Sequence, residues 1–166
     1  MHPMLRIIVL SFLVLSAAAW AAPEPGNDPF IGTWRTNLAK SKYNPGPPPS
    51  KPGTVTIEPN GNNGIKVTVV AINAKGEKTV NQYSASYDGK EVPFTQTGPG
   101  AVSGQTVTLR RIDANTVERI GYLGGKKLVT EKWVVSKDGK TRTNTQTGMN
   151  AQGEFVNNVI VNDRLK

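Results

Sequence analysis

Few side chains in this sequence are suited to acid–base or nucleophilic chemistry. The 166 residues include no cysteine and a single histidine, His2, which lies in a segment that we expect to be removed. Without imidazole or thiol in the remaining chain, Ser-His-Asp and Cys-His catalysis and metal sites built on His or Cys are excluded. Proton transfer by Glu118 or Glu131 beside a tyrosine stays open. Strand carboxylates usually face solvent, so we predict no catalytic residue, metal or cofactor, and lean against an enzyme.

Aromatic residues and arginines along the chain are better suited to hold a ligand than to transform one. Aromatic rings bury the apolar surface of a ligand, and a guanidinium donates charged hydrogen bonds to an acidic head group. The predicted ligand-contacting residues are Trp34, Tyr83, Tyr87, Phe94, Arg110, Arg119, Trp133 and Arg142. The alternative for each aromatic is a place in the core, and for each arginine a place on the solvated outer face.

The first 21 residues have the layout of a secretory signal peptide. Arg6 precedes an apolar run from Ile7 to Trp20, and the small residues Ala19 and Ala21 suit cleavage after Ala21. The run is short for a membrane anchor, which is the alternative. We therefore expect an exported protein, periplasmic or secreted, with no stable membrane insertion after cleavage. Residues 22–29 then form a leader, and residues 30–166 form one domain.

The charge is basic but dispersed. The formal net charge is +8, from 20 basic and 12 acidic residues. Only Arg110-Arg111 and Lys126-Lys127 are adjacent pairs, whereas nucleic-acid binding usually needs a clustered basic stripe. We predict no nucleic-acid partner, and the oligomeric state is not determined by the sequence. A basic outer face that meets anionic surfaces of the cell envelope remains an alternative function.

Short stretches rich in Val, Ile, Thr and Tyr alternate with turn dipeptides of Gly, Asn and Asp, which tolerate the positive φ of tight hairpins. The predicted strands are residues 31–37, 54–59, 65–73, 77–87, 91–97, 105–112, 116–123, 126–136, 140–147 and 154–162. Consecutive hairpins form a meander, and closure of a long meander removes its exposed edges. The sequence therefore predicts an all-β fold, an antiparallel up-and-down β-barrel of about ten strands, with no substantial helix in the mature domain.

One predicted strand is polar on both faces. Residues 140–147 place Arg142, Asn144 and Gln146 on one face and threonines on the other. Either face would bring hydrogen-bonding groups into the barrel, which a dry core does not tolerate. This pattern favours a partly hydrated cavity, and an exposed edge strand is the alternative.

The proline-rich segment from Ala39 to Pro52 interrupts the strand pattern. Its prolines favour an extended polyproline conformation. We predict a stiff loop that crosses one end of the barrel and acts as a lid.

The first strand, Phe30-Ile31-Gly32-Thr33-Trp34-Arg35, resembles the opening strand of the lipocalin and fatty-acid-binding-protein (calycin) superfamily, in which a Gly-x-Trp begins a meander barrel. The resemblance implies that Trp34 closes one barrel end. Residues 134–141 look like a late hairpin of such barrels, and the mature chain resembles exported bacterial proteins described as lipocalin-like. The Arg-x-Tyr with which fatty-acid-binding proteins hold a carboxylate has no match in the last strand, and the proline-rich loop stands where those proteins have two helices.

Binding of a small amphipathic or hydrophobic ligand in the barrel cavity, without catalysis, is therefore the leading functional hypothesis, and the ligand's polar group suits an anion. The alternatives are a small isomerase or cyclase that uses carboxylate and tyrosine, and an envelope structural or interaction protein.

Overall fold

The architecture comes from a computed structural model, which describes residues 27–165; the predicted signal peptide and most of the leader lie outside this range. The strands are β1 (Gly32–Thr36), β2 (Lys51–Pro59), β3 (Gly64–Ile72), β4 (Lys78–Ser86), β5 (Val92–Pro93), β6 (Thr95–Thr97), β7 (Gln105–Asp113), β8 (Thr116–Leu123), β9 (Lys126–Val135), β10 (Thr141–Met149) and β11 (Phe155–Arg164). The helical content of the described residues is one 3₁₀ turn, Leu38–Lys40. No helix between residues 27 and 165 combines the length and the apolar character that a membrane span requires.

All eleven strands belong to one antiparallel sheet in the order β5-β7-β8-β9-β10-β11-β1-β2-β3-β4-β6. The first strand pairs with the last, with Trp34 opposite Arg164, so the meander wraps round into a nearly closed barrel. The remaining seam lies between β4 and β7, where the short β6 pairs with β4 and the short β5 pairs with β7. The predicted all-β antiparallel barrel is confirmed.

The structure has eleven strands because the segment predicted as one strand, residues 91–97, divides at Phe94. Val92 and Pro93 pair with β7, whereas Thr95 to Thr97 pair with β4. A single short segment thus serves both sides of the seam. Elsewhere the turns fall where Gly was expected to supply positive φ, as at Gly76 (φ 84°) and Gly139 (φ 70°).

The apolar core occupies one end of the barrel. Phe30, Trp34, Ile65, Val117 and Leu109 are among its fully buried members. Alternation along each strand places these residues inward and their polar neighbours outward. Towards the opposite end the inward positions include both amides, such as Asn158, and apolar residues, such as Val69, and a cavity lies between the strands.

Candidate functional site

A cavity of about 590 Å³ lies inside the barrel. This volume is within the range of small-molecule sites, roughly 300–1,000 Å³. Its wall includes residues of the proline-rich segment (Tyr43 and Pro49) and of the β10–β11 turn (Asn150 and Gln152). The cavity therefore extends from the apolar core to the loops at the other end of the barrel.

β10 turns its amide and guanidinium face inward. Arg142 and Asn144 are buried, at 3% and 8% relative exposure, and both line the cavity with Gln146. The strand pairs with β9 on one side and β11 on the other, so it is not an edge. The polar strand seen in the sequence is thus part of the cavity wall, and its threonines face outward.

Glu131 on β9 is the centre of a buried polar network. Its Oε1 accepts hydrogen bonds from Arg119 Nη1 at 2.6 Å and from Gln146 Nε2 at 3.3 Å. Its Oε2 accepts from Trp133 Nε1 at 2.9 Å and from Asn144 Nδ2 at 3.1 Å. Four donors from three strands occupy this carboxylate, which fixes its position.

Cross-strand register brings these groups together. Arg119 lies directly opposite Glu131 in the β8–β9 ladder, and Gln146 lies opposite Glu131 in the β9–β10 ladder. Burial alone would lower the pKa of the Arg119 guanidinium, but the charge of Glu131 raises it above its ordinary value. Arg119 and Glu131 therefore form a buried ion pair.

The network continues to the proline-rich segment. Asn158 Nδ2 on β11 donates to Gln146 Oε1 at 3.0 Å, and Asn158 Oδ1 accepts from the backbone N–H of Asn44 at 2.8 Å. Lys42 forms an isolated antiparallel bridge with Val159. The segment is thus held against β11 at the loop end of the barrel and is connected through two amides to Glu131.

Arg142 differs from Arg119 because no carboxylate of residues 27–165 forms an ion pair with it. Its guanidinium carbon lies 5.0 Å from the ring centroid of Trp133 and 5.9 Å from that of Trp34, and its Nε has no hydrogen-bond partner in the described part of the chain. Burial lowers the pKa of Arg142 to about 10, so the side chain is still protonated at neutral pH. The cavity wall therefore contains a cation that forms no ion pair with any carboxylate between residues 27 and 165.

Three further polar atoms of cavity-lining side chains have no hydrogen-bond partner within residues 27–165: Tyr83 Oη, Asn81 Oδ1 and Asn144 Oδ1. The orientation of the Asn144 amide is set by its Nδ2, which donates to Glu131; the reverse orientation would place an amide oxygen against a carboxylate. Burial raises the pKa of Tyr83, an effect that the nearby Arg119 opposes, so the phenol stays neutral and can donate.

Of the eight residues predicted to contact a ligand, five line the cavity: Tyr83, Phe94, Arg119, Trp133 and Arg142. Arg110 lies on the outer surface, where it pairs with Glu118 at 3.3 Å. Tyr87 donates its hydroxyl to Asp28 at 2.8 Å outside the cavity, and Arg111 lies 3.9 Å above its ring. Trp34 is fully buried in the core.

The amides Asn81, Asn158 and Asn162 and the part played by Arg164 were not predicted from the sequence. Asn158 and Asn162 share a face with Ile160 of β11, and this period of two was the available signal. Arg164 donates to the backbone carbonyls of Ile31 at 2.7 Å and Gly139 at 2.6 Å and lies 4.1 Å from the centroid of the Trp34 ring.

Comparisons with known proteins identify the fold. The crystal structure of wild-type fluorescent protein UnaG is similar, with a TM-score of 0.55 and 18% identity over 81% of this chain and 96% of that one. An asparagine-to-alanine variant of UnaG gives a TM-score of 0.57 and 17% identity over 83% of this chain and 97% of that one. No protein-family model and no curated protein matches the sequence. At this identity the likeness shows a shared fold.

Proposed function

We propose, on the premise that the chain has the barrel fold of the fatty-acid-binding-protein (calycin) superfamily, that it binds a small amphipathic anion in its cavity without transforming it. The observation that carries this proposal is Arg142, a buried guanidinium with no carboxylate partner between residues 27 and 165. A buried unpaired charge is costly for a folded protein. A bound anion would supply the missing counter-charge.

The distribution of polarity supports an orientation for this ligand. Arg142 lies opposite Asn162 in the β10–β11 ladder and its guanidinium is near Trp34, so it is close to the core end. Val69, Ala71 and Ile72 line the cavity towards the loop end. The anionic group would therefore be deepest, and the apolar part would lie nearer the loops.

Glu131 supports binding rather than acid–base catalysis. Its two oxygens already accept four hydrogen bonds from the protein, so the carboxylate is occupied as a structural acceptor. A general base needs a lone pair directed at the substrate. Export of the protein to the periplasm or medium remains part of the proposal and is supported by the sequence of residues 1–21.

The test compares dodecanoate with dodecanol, which share a chain and differ in charge. We expect calorimetry to give an affinity for dodecanoate roughly tenfold to a hundredfold higher than for dodecanol, as a charged hydrogen bond implies. Arg142→Met should remove this difference and leave the affinity for dodecanol unchanged.

Arg110→Met is the matched control, since it removes an arginine that pairs with Glu118 on the outer surface. It should preserve the preference for dodecanoate. Equal binding of both ligands by the unmodified protein, or an undiminished preference in Arg142→Met, would contradict the proposal.

A further inference from the structure

The two ends of the barrel differ in surface charge. At the core end, Asp88, Asp113 and Asp138 lie at the turns that follow β4, β7 and β9. The corresponding positions at the loop end carry lysines. Five of these are exposed: Lys51 where β2 begins, Lys75 and Lys78 at the β3–β4 turn, and Lys126 and Lys127 at the β8–β9 turn.

The charges of these loop-end lysines are not neutralised by ion pairs. None of the five lies within ion-pair distance of a carboxylate between residues 27 and 165. The carboxylates of the loop-end turns are Glu77 and Glu154, which accept hydrogen bonds from Asn73 Nδ2 at 2.7 Å and Asn150 Nδ2 at 3.0 Å. Lysines therefore outnumber carboxylates at this end, and its positive potential attracts anionic surfaces.

Apolar side chains are exposed at the same end. Met149 and Phe155 are partners in the β10–β11 ladder, and their relative exposures are 42% and 57%. The backbone N–H of Asn157 donates to the Asn44 carbonyl at 2.7 Å, so the proline-rich segment runs along β11 towards Phe155. Its exposed prolines there are Pro45, Pro47 and Pro48. Met149, Phe155 and these three prolines together form the rim patch.

We infer that the loop end of the barrel docks on a surface of anionic phospholipids, with the lysines against the headgroups and Phe155 and Met149 at the boundary between headgroups and acyl chains. Basic residues near such a surface gain electrostatic attraction, and apolar side chains gain by leaving water. The core end would then face away from the membrane. This inference goes beyond the proposed function and does not depend on what occupies the cavity.

The shape of the rim favours lipid over a protein partner. The rim patch and the five lysines come from four separate parts of the chain: the proline-rich segment with the start of β2, and the β3–β4, β8–β9 and β10–β11 turns. A protein partner would need a rigid surface that matches all four. Lipids are mobile and can rearrange around each projecting side chain.

Sedimentation with vesicles tests the docking. Vesicles of phosphatidylcholine with about 30% phosphatidylglycerol are compared with vesicles of phosphatidylcholine alone, and we expect binding to the anionic vesicles to be roughly tenfold tighter or more. Salt at about 0.5 M should release most of the protein, because it screens exposed charges.

Two pairs of variants locate the contact. Lys126→Gln with Lys127→Gln should weaken binding to anionic vesicles roughly tenfold. Lys137→Gln with Lys140→Gln, at exposed positions of the β9–β10 turn at the core end, makes the same change in net charge and should have little effect.

The apolar contribution has its own matched pair. Phe155→Ser should weaken binding about fivefold to tenfold, because the apolar ring no longer leaves water. Ile112→Ser removes an apolar side chain of similar exposure, 48%, at the core end, and should leave binding unchanged.

Tryptophan fluorescence gives the orientation directly. Phe155→Trp should move its emission to shorter wavelength when anionic vesicles are added, because the indole leaves water. Ile112→Trp should show no such shift.

Several results would overturn the inference. These are equal binding to the two kinds of vesicle, equal losses in the two lysine pairs, or an emission shift at residue 112 rather than at residue 155. A dimer in analytical ultracentrifugation that Phe155→Ser dissociates, together with no binding to anionic vesicles, would identify a second copy of the chain as the occupant of the rim patch and would also overturn it.

Discussion

Arg119 and Arg142 show how two arginines that line the same cavity acquire opposite roles. Arg119 is neutralised by Glu131 at 2.6 Å, and its charge is part of the protein's own structure. Arg142 is just as buried but has aromatic rings at 5.0 and 5.9 Å in place of a carboxylate. Cation–π attraction offsets only part of the cost of burying a charge, so Arg142 is available to a ligand.

This contrast predicts that Arg142 lowers the stability of the ligand-free protein. Arg142→Met should raise the free energy of unfolding by about 1–3 kcal/mol, because an apolar side chain of similar length replaces an unpaired buried charge. Urea unfolding at pH 8 measures the change. A loss of stability in this variant would contradict the assignment of Arg142 as an unpaired cation.

The same substitution has a predictable pH dependence. Burial lowers the pKa of Arg142 from its ordinary value to about 10, so between these two pKa values the unfolded state binds more protons than the folded state. The contribution of Arg142 to the free energy of unfolding therefore rises with pH in that window. The gain in the free energy of unfolding caused by Arg142→Met should shrink above pH 10. Below that pH the advantage should be constant.

At the scale of elements, Glu131 joins β8, β9 and β10 into one polar wall. Its partners are Arg119 on β8, Trp133 on β9, and Asn144 and Gln146 on β10. A hydrogen-bonded ion pair of this kind fixes register across three strands, although it adds less stability than its number of contacts suggests. The wall is therefore preformed before any ligand binds.

Glu131→Gln tests this role. The substitution leaves Arg119 buried without a carboxylate and sets an NH₂ group against one of four donors, so we expect a loss of about 3–5 kcal/mol in the free energy of unfolding. Glu118→Gln, at the exposed pair with Arg110, is the matched control and should cost at most about 1 kcal/mol. Similar effects of the two substitutions would show that the buried network does not organise these strands.

For the whole molecule, the core end of the barrel is closed from several parts of the chain. Arg164, on the last strand, donates to the carbonyls of Pro29, Ile31 and Gly139, at 2.5, 2.7 and 2.6 Å. It also lies over Trp34, whose Nε1 donates to the Phe30 carbonyl at 2.9 Å. Asp28 adds a second set of contacts at this end, because its carboxylate accepts hydrogen bonds from Tyr87 and Arg111.

Closure at this end should depend on Arg164. Arg164→Met removes three charge-assisted hydrogen bonds and should reduce the free energy of unfolding by roughly 2–4 kcal/mol, measured by urea unfolding. Arg35→Met, at an exposed position of β1, should have little effect. Equal effects of both changes would refute a specific role for Arg164.

The sequence alone determined the strands, the turns and the antiparallel meander, because alternation of side chains and positive-φ glycines are local properties. It also restricted the chemistry, through the absence of cysteine and the single histidine. The division of residues 91–97 at Phe94 was not predictable, since it depends on two different partner strands.

Only the tertiary structure decided which face of β10 turned inward and which arginine was neutralised. Arg110, Arg119 and Arg142 are equivalent candidates in the sequence, yet one is exposed, one is paired and one is buried without a carboxylate partner in residues 27–165. The physical reason is register: an ion pair across strands forms only where the ladder sets the two residues opposite each other, as it does for Arg119 and Glu131.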